Sequence, residues 1–345
     1  LASPALNNDV FLSLQSGIRV SPRYHPIRGV PSDFLRNRLM LSIHADLRNW
    51  IGQRFVVARI KYQRAFEWFF PSSHSRPELT TTPSNATQRE VDQIRKKWAY
   101  KLTKTAKDDL FNMFHNKSDD FLNAVADGRI TILGTPVDNQ FTTFHSFDSN
   151  CQEKVVPDMV VPAIGYRAQL EELSAGKIRL ADFYLGCCHV TYPDLYLVGF
   201  ARPIIGNIPT ISEMQSQFVC SLIAGEVLRP SRIAELHRVD LATRTVRYRK
   251  INMNTVYPVE MFPYCDKLAK QMNKYPAPFS VDSLLLWCRM QLAPATTLHY
   301  GYGDAELRER YRSAPVYMPV LLVLLLLLLK PVNLVYRVFR GLRRG

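Results

Sequence analysis

Thiol and imidazole adjoin at one place in this chain, Cys187-Cys188-His189. On a strand, successive side chains point to opposite faces, so these three cannot close on one metal ion. The spacing predicts a buried thiol pair and no metal site. The six cysteines include no CxxC pair. That gives neither a disulfide framework nor a zinc ribbon, and a reducing compartment is the expectation. The eight histidines show no HxxxH spacing, and no Ser/His/Asp set stands out. Types and spacing alone identify no catalytic residue. Leu195–Glu226, LYLVGFARPIIGNIPTISEMQSQFVCSLIAGE, is more informative. Its apolar start predicts a strand buried on both faces. Thr210-Ile-Ser-Glu213 fits a capping box, Ile211, Met214, Phe218 and Leu222 form one helical stripe, and Gly225 closes the helix. Strand, glycine loop and helix bring a positive helix end to the carboxyl edge of a sheet, where open α/β sheets hold ligands. The same pattern also describes an ordinary capped helix.

The elements around this segment alternate. Residues 9–20 read as a strand ending at Gly17, and Asp33–Ile51 as a helix. Pro71–Thr87, rich in Pro, Ser and Thr, reads as a linker, and residues 88–124 as helical. Arg129–Pro136 and residues 140–147 read as strands, and Val155–Tyr166 as a buried strand broken by Pro157. Strands alternating with helices give an α/β class. The sequons at Asn85 and Asn116 are taken as accidental.

Charge points to an anionic partner. The 345 residues carry 44 Lys/Arg against 30 Asp/Glu, a net +14. Residues 19–76 hold eleven cations against three acids, interleaved with Tyr24, Trp50, Tyr62, Phe66 and Trp68. A membrane-surface helix, a solvated face and a nucleic-acid platform all fit such a pattern. The arginines at 54, 59 and 64 beside aromatics at 62, 66 and 68–70 favour the membrane, and no nucleic-acid partner is expected. At the other end, the unbroken apolar run Val320–Leu329 precedes Lys330, Arg337, Arg340, Arg343 and Arg344. Ten residues of helix rise about 15 Å, half of a bilayer core of about 30 Å. The expectation is a shallow or monotopic lipid contact through residues 315–344, with a full span through Pro331 as the other possibility.

Several blocks together resemble the flavin-containing monooxygenase family. LYLVGFARPIIGNIPTISEMQSQF is similar to its late strand and helix start, and VFLSLQSGIRVSPRY (Val10–Tyr24) to the strand and turn after its NADPH glycine motif. HNKSDDFLNAVADGRITI and VVPDMVVPAIGY resemble its middle segments, and PVEMFPYCDKLAKQMNKYP a later helix. The five blocks occur in the family's order. The basic, apolar tail is similar to the membrane anchor of animal members. Neither family turn, GxGxxG nor GxGxSG, occurs among the fifteen glycines. The expectation is therefore a C-terminal part of a longer protein, with this chain inactive alone.

The resemblance implies an α/β, partial two-dinucleotide-binding-domain (Rossmann-like) flavoprotein with a C-terminal membrane anchor. Residues 1–165 would be the remainder of the NADPH-binding domain with an insertion, 166–312 the C-terminal part of the FAD-binding domain, and 313–345 the anchor. It implies an FAD- and NADPH-dependent monooxygenase that oxygenates a small soft nucleophile, an amine nitrogen or a sulfide sulfur. The expected location is the endoplasmic reticulum membrane, facing the cytosol. FAD would be met by Gly199, Pro209, Ser212, Glu213 and Gln215, with the Ile208–Gln215 helix start as a wall beside the flavin ring. Gly165 and Tyr166 fall in the cofactor region. The family's Arg-Arg pair is Gln15-Ser16 here, leaving Arg19 and Arg23 as substitutes toward the NADPH phosphate. The alternative is a non-catalytic, membrane-tethered scaffold that keeps the fold without the cofactor sites.

Overall fold

The structure is a computed structural model. It describes residues 2, 6–21, 23–24, 31–62, 65, 88–105, 116–163, 169–248, 251–274, 284–300, 304–318 and 320–342. The expected linker at 71–87, the sequon at Asn85, Phe66 and Trp68, and Gly165 and Tyr166 lie outside them. The chain forms two compact units, one from residues 1–32 and 49–164, the other from 33–48 and 165–345.

The first unit carries a four-stranded mixed sheet. Strand β1 (Val10–Ser13) runs parallel to β4 (Ile130–Pro136), pairing Val10 with Ile130 and Ser13 with Leu133. Antiparallel strands β5 (Thr143–Ser146) and β6 (Gln152–Lys154) complete the order β1-β4-β5-β6. A separate pair joins β2 (Val20–Ser21) to β3 (Asn116–Lys117). Gly134 is required where β5 crosses close: a Cβ there would stand 2.7 Å from the His145 carbonyl oxygen. Helices α3 (Gln88–Thr105) and α4 (Phe121–Ala126) close the core, with Leu102, Val125 and Ile132 buried against Trp98, Phe121 and Phe147. Most of α2 (Ala45–Lys61) also belongs here, including exposed Trp50 with the Arg54 guanidinium 3.9 Å from its ring centre.

In the second unit, β9 (Ala201–Ile205) pairs parallel with β10 (Tyr257–Glu260). Between them lie α6 (Ile208–Ile223) and α7 (Ile233–Arg247), and α8 (Met261–Gln271) follows β10. A hairpin of β7 (Phe183–Tyr184) and β8 (Cys188–His189) turns through Leu185 and Gly186, both at positive φ. A Cβ on Gly186 would meet the Tyr257 ring at 3.0 Å, so the turn needs glycine twice over. The remaining helices are α1 (Arg38–Leu41), the single turn α5 (Leu170–Leu173), α9 (Leu284–Leu292), α10 (Ala305–Ser313) and α11 (Val320–Leu342).

The α/β class holds, with small sheets. Three local expectations are corrected. The helix expected over 33–51 is broken into a short 3-10 turn, α1 and the start of α2, because the Asn37 side chain caps a new helix by accepting the Met40 amide at 2.9 Å. Of the buried strand expected over Val155–Tyr166, the described part, 155–163, is not one: β6 stops at Lys154, and Val156, Met159, Val160 and Val161 are exposed. LYLVGF is extended only beside β8, where Tyr196 bridges Cys188; Val198 and Phe200 are exposed, and the strand that leads into α6 is Ala201–Ile205.

Pro331 does not end the C-terminal helix. Its missing amide is absorbed within a 23-residue α11. Among the described residues this is the one helix long and apolar enough to cross a membrane, and only 11% of the Leu322–Phe339 window is buried.

Candidate functional site

The turn from β9 into α6 shapes the site. Gly206 sits at φ +129°, and a Cβ there would lie 2.4 Å from the Met261 Cβ, so only glycine lets the chain pass over the start of α8. The next residue, Asn207, is the cap. Its Oδ1 accepts the Thr210 amide at 2.8 Å, and its Nδ2 donates to the Ala295 carbonyl at 3.0 Å. The expected cap at Thr210 is thereby corrected: Thr210 is the third helical residue, and Glu213 instead lies beside Gln217. The apolar stripe is as expected, with Ile211, Met214 and Phe218 fully buried. The end is also as expected. Gly225 is at φ +73°, its amide reaches Leu222, and the Glu226 amide reaches Ser221, a Schellman pattern.

Gln215 ties the loop Leu197–Phe200 to this helix. It is 0% exposed, and both ends of its amide are used. Oε1 accepts the Gly199 amide at 3.0 Å, while Nε2 donates to the Tyr264 hydroxyl at 2.8 Å and to the Gly186 carbonyl at 3.3 Å. A flipped amide would set NH2 against the Gly199 N–H, so the partners fix the orientation. Tyr264 donates in turn to the Leu185 carbonyl at 2.6 Å. Burial pushes its pKa up, so it stays protonated and keeps that bond. Gly199 adopts φ +88°, with the Ser212 hydroxyl 3.9 Å from where a Cβ would be.

The result is a rigid loop held on the first two turns of α6. Val198, Phe200, Ile208 and Pro209 are exposed there, Ser212 is half-buried and Glu213 is exposed. Pro209 has no N–H and Thr210's is taken, which leaves few first-turn amides for an anion. The positive end of the helix dipole remains. As a binding surface this is an apolar wall with a positive edge. It suits the flat face of an aromatic ring system better than a phosphate.

Arg19 and Arg23, expected toward the NADPH phosphate, belong to the first unit, and the Cys187-Cys188-His189 run belongs to the second. Arg19 is buried after β1 in the first unit. Arg23 is exposed there, its backbone held by Asp119 at 2.9 Å and by Ser32. Cys187, Cys188 and His189 are all buried, with the sulfurs 3.9 Å apart. Sharing a proton with its neighbour, Cys187 is pushed up and Cys188 down. His189 Nδ1 accepts the Thr191 and Tyr192 amides, and burial lowers its pKa. Among the described residues no three His, Cys, Asp or Glu side chains converge to hold a metal.

A second cluster carries more charge but is closed. Arg38 grips Asp266 through both terminal nitrogens, at 3.0 and 2.7 Å, and Tyr300 donates to the same carboxylate at 2.7 Å. The guanidinium lies 4.3 Å from the Phe262 ring centre. His299 accepts from Arg38 Nε at 3.4 Å and contacts the Pro294 carbonyl at 3.0 Å. Burial, and Arg38 beside it, hold its pKa down to about 3. Every group is engaged inside the unit, so the cluster reads as a structural clamp.

Sequence reasoning missed Asn207 and the Gln215–Tyr264–Gly186 set. Asn207 had a readable signal, an Asn followed two residues later by Pro at a helix start. The Gln215 partners lie 29 and 49 residues away and left no local trace.

No protein-family model matches the chain. The chain is similar to 4-hydroxybenzoate brominase (decarboxylating) from Pseudoalteromonas luteoviolacea (strain 2ta16), with 27% identity over 282 residues, 77% of this chain and 47% of that protein. The chain thus spans about half the length of the curated relative it matches.

Proposed function

We propose that this chain belongs to a flavin-dependent oxidoreductase that delivers an oxidising equivalent to a soft nucleophile, with the 198–200 loop and the start of α6 forming one wall of the flavin site. The observation that carries the reading is the Gly199 loop locked by Gln215 onto the positive end of α6. The fit to flavin is that of a wall. The exposed apolar edge of Val198, Phe200, Ile208 and Pro209 suits a planar ring, and the helix end favours negative charge at its rim. Gln215 serves by fixing the loop, since its amide has no free group to offer; Ser212 remains the side chain available at that edge. No glycine-rich turn for a pyrophosphate occurs in the sequence. Bound flavin, once reduced and given dioxygen, supplies an electrophilic oxygen.

The relative supports this class of reaction. Placing bromine on an electron-rich phenol requires bromide to be oxidised first, and bromide is itself a soft nucleophile. Its oxidation and the oxygenation of an amine or sulfide are one kind of event: oxygen transfer to a lone pair. The finer assignments rest on the sequence resemblance. These are NADPH as reductant, met by Arg19 and Arg23; Gly165 and Tyr166 near the cofactor; Rossmann-like remainders at 1–165 and 166–312; an anchor at 313–345; and the endoplasmic reticulum, facing the cytosol.

The test is to purify the protein with its natural ends and record its visible spectrum. Flavin bands, with FAD released by acid and identified by mass, are expected, followed by NADPH- and dioxygen-dependent turnover of a thioether, or of bromide with 4-hydroxybenzoate. A colourless protein that takes up no FAD refutes the enzyme reading and leaves the scaffold.

A further inference from the structure

The C-terminal helix is bound along its length to the unit it belongs to. Leu326 is buried, and Leu322, Val323 and Leu329 pack half-buried with it against Leu39, Ile43 and Met318. Further along, polar side chains continue the same stripe. Lys330 donates to the Ser42 hydroxyl, and Arg337 to the Ser42 carbonyl at 2.8 Å. The Asn333 side chain, buried, accepts the His44 amide at 2.7 Å, and Tyr336 reaches Asp46 at 3.4 Å. Positions 322, 326, 330, 333 and 337 recur every three or four residues, so one face of the helix touches its unit from Leu322 to Arg337, with Leu326 and Asn333 buried. The opposite face is bare and apolar, with Val320, Leu328, Leu334 and Phe339 among its exposed side chains.

This covering conflicts with a span. From Leu322 to Arg337 the helix rises about 22 Å, most of a bilayer core of about 30 Å. A crossing helix would draw the segment bound to it into hydrocarbon. That segment, residues 38–48, carries Arg38 and Arg48, each paired to a carboxylate, Asp266 and Glu260. Moving those groups into lipid costs far more than leaving the bare face in water. A flat orientation satisfies both faces. The bare side enters the acyl region while the covered side stays with its unit. Beyond the stripe the sequence adds Arg340, Arg343 and Arg344, with no acid anywhere in 330–345, which matches an anionic headgroup layer.

We infer that α11 lies in the plane of one leaflet of an anionic bilayer, held flat by the Lys330–Asn333–Tyr336–Arg337 stripe on residues 42–46, and does not cross it. The inference rests on α11 being the lipid-contacting element and adds its orientation.

The experiment places a thiol at the tail, Gly345→Cys, in a Cys151→Ser/Cys220→Ser background that removes the two exposed thiols. The full chain is added to sealed phosphatidylcholine vesicles with and without phosphatidylserine, floated, and treated with a membrane-impermeant maleimide. The expected result is flotation roughly tenfold weaker without phosphatidylserine, with the tail labelled in intact vesicles as fully as in detergent. A tail protected until detergent is added means that the helix crosses, and overturns the orientation alone. A chain that does not float, or that stays in solution as a dimer of α11 faces, overturns the lipid reading beneath it. Lys330→Leu/Asn333→Leu/Arg337→Leu removes the stripe while leaving the apolar contacts. Tail protection is expected to rise in this variant, and unchanged labelling would refute the stripe as the device that holds the helix flat.

Discussion

Replacing Gln215 with leucine removes three hydrogen bonds at nearly constant volume, so its effect separates polar loss from cavity formation. The three are not equal. Gly199 is exposed, so its amide regains water when Oε1 is gone. The Tyr264 hydroxyl keeps its bond to the Leu185 carbonyl. The Gly186 carbonyl is left facing a methyl group in a buried turn. At about 1 kcal/mol per net bond and about 1–3 kcal/mol for a dry carbonyl without a donor, the second unit loses about 3–5 kcal/mol. The assay is urea denaturation followed through hydrogen exchange of the β9–α6 peptide, which isolates this unit from the other. A cycle with Tyr264→Phe is expected to show a coupling of about 1 kcal/mol, because the two changes share one bond. If Gln215→Leu cost under about 1 kcal/mol with no coupling, the loop would not be held by this amide. A changed flavin spectrum at unchanged stability would return Gln215 to direct contact with the cofactor.

Three further outcomes follow from the same geometry. Gly206→Ala forces a Cβ to within 2.4 Å of the Met261 Cβ at φ +129°, and is expected to cost about 3 kcal/mol or more, read as a lowered thermal midpoint. His299 is held neutral, with its pKa lowered to about 3, so the unfolded chain takes up this proton first as pH falls. Its contribution is full above the ordinary value of 6.5 and is lost through the interval down to about 3, and between pH 7 and pH 5 it accounts for about 2 kcal/mol of lost stability that His299→Phe should abolish. In native alkylation, exposed Cys151 and Cys220 are expected to react first, while buried Cys187, Cys188 and Cys265 wait for unfolding, as peptide mass mapping would show.

What the sequence made legible was local and periodic. β1, β4, β5 and the buried stripe of α6 follow from alternation and from 3.6-residue spacing, and Gly225 ends its helix as glycine at that position should. The failures share a different cause. Thr210-x-x-Glu213 and Asn207-x-Pro209 are competing start signals three residues apart, and the choice went to Asn207 because its amide also reaches the Ala295 carbonyl, 88 residues away. Val155–Val161 is as apolar as a strand, yet β6 ends at Lys154, and after the Val155 amide on the Thr142 carbonyl at 2.9 Å the segment runs on exposed. Asp33–Ile51 has helical composition throughout, but Asn37 restarts the helix where its side chain also reaches the Leu292 carbonyl. At each failure a polar side chain or a sheet edge answers to a distant part of the chain. The candidate site is built from the same kind of contact: Gln215 closes Gly186, Gly199 and Tyr264 on one another. The residues most visible in the sequence, Pro209, Ser212 and Glu213, form the surface of the wall, and the residue that makes the wall rigid is the one whose partners sequence spacing does not reveal.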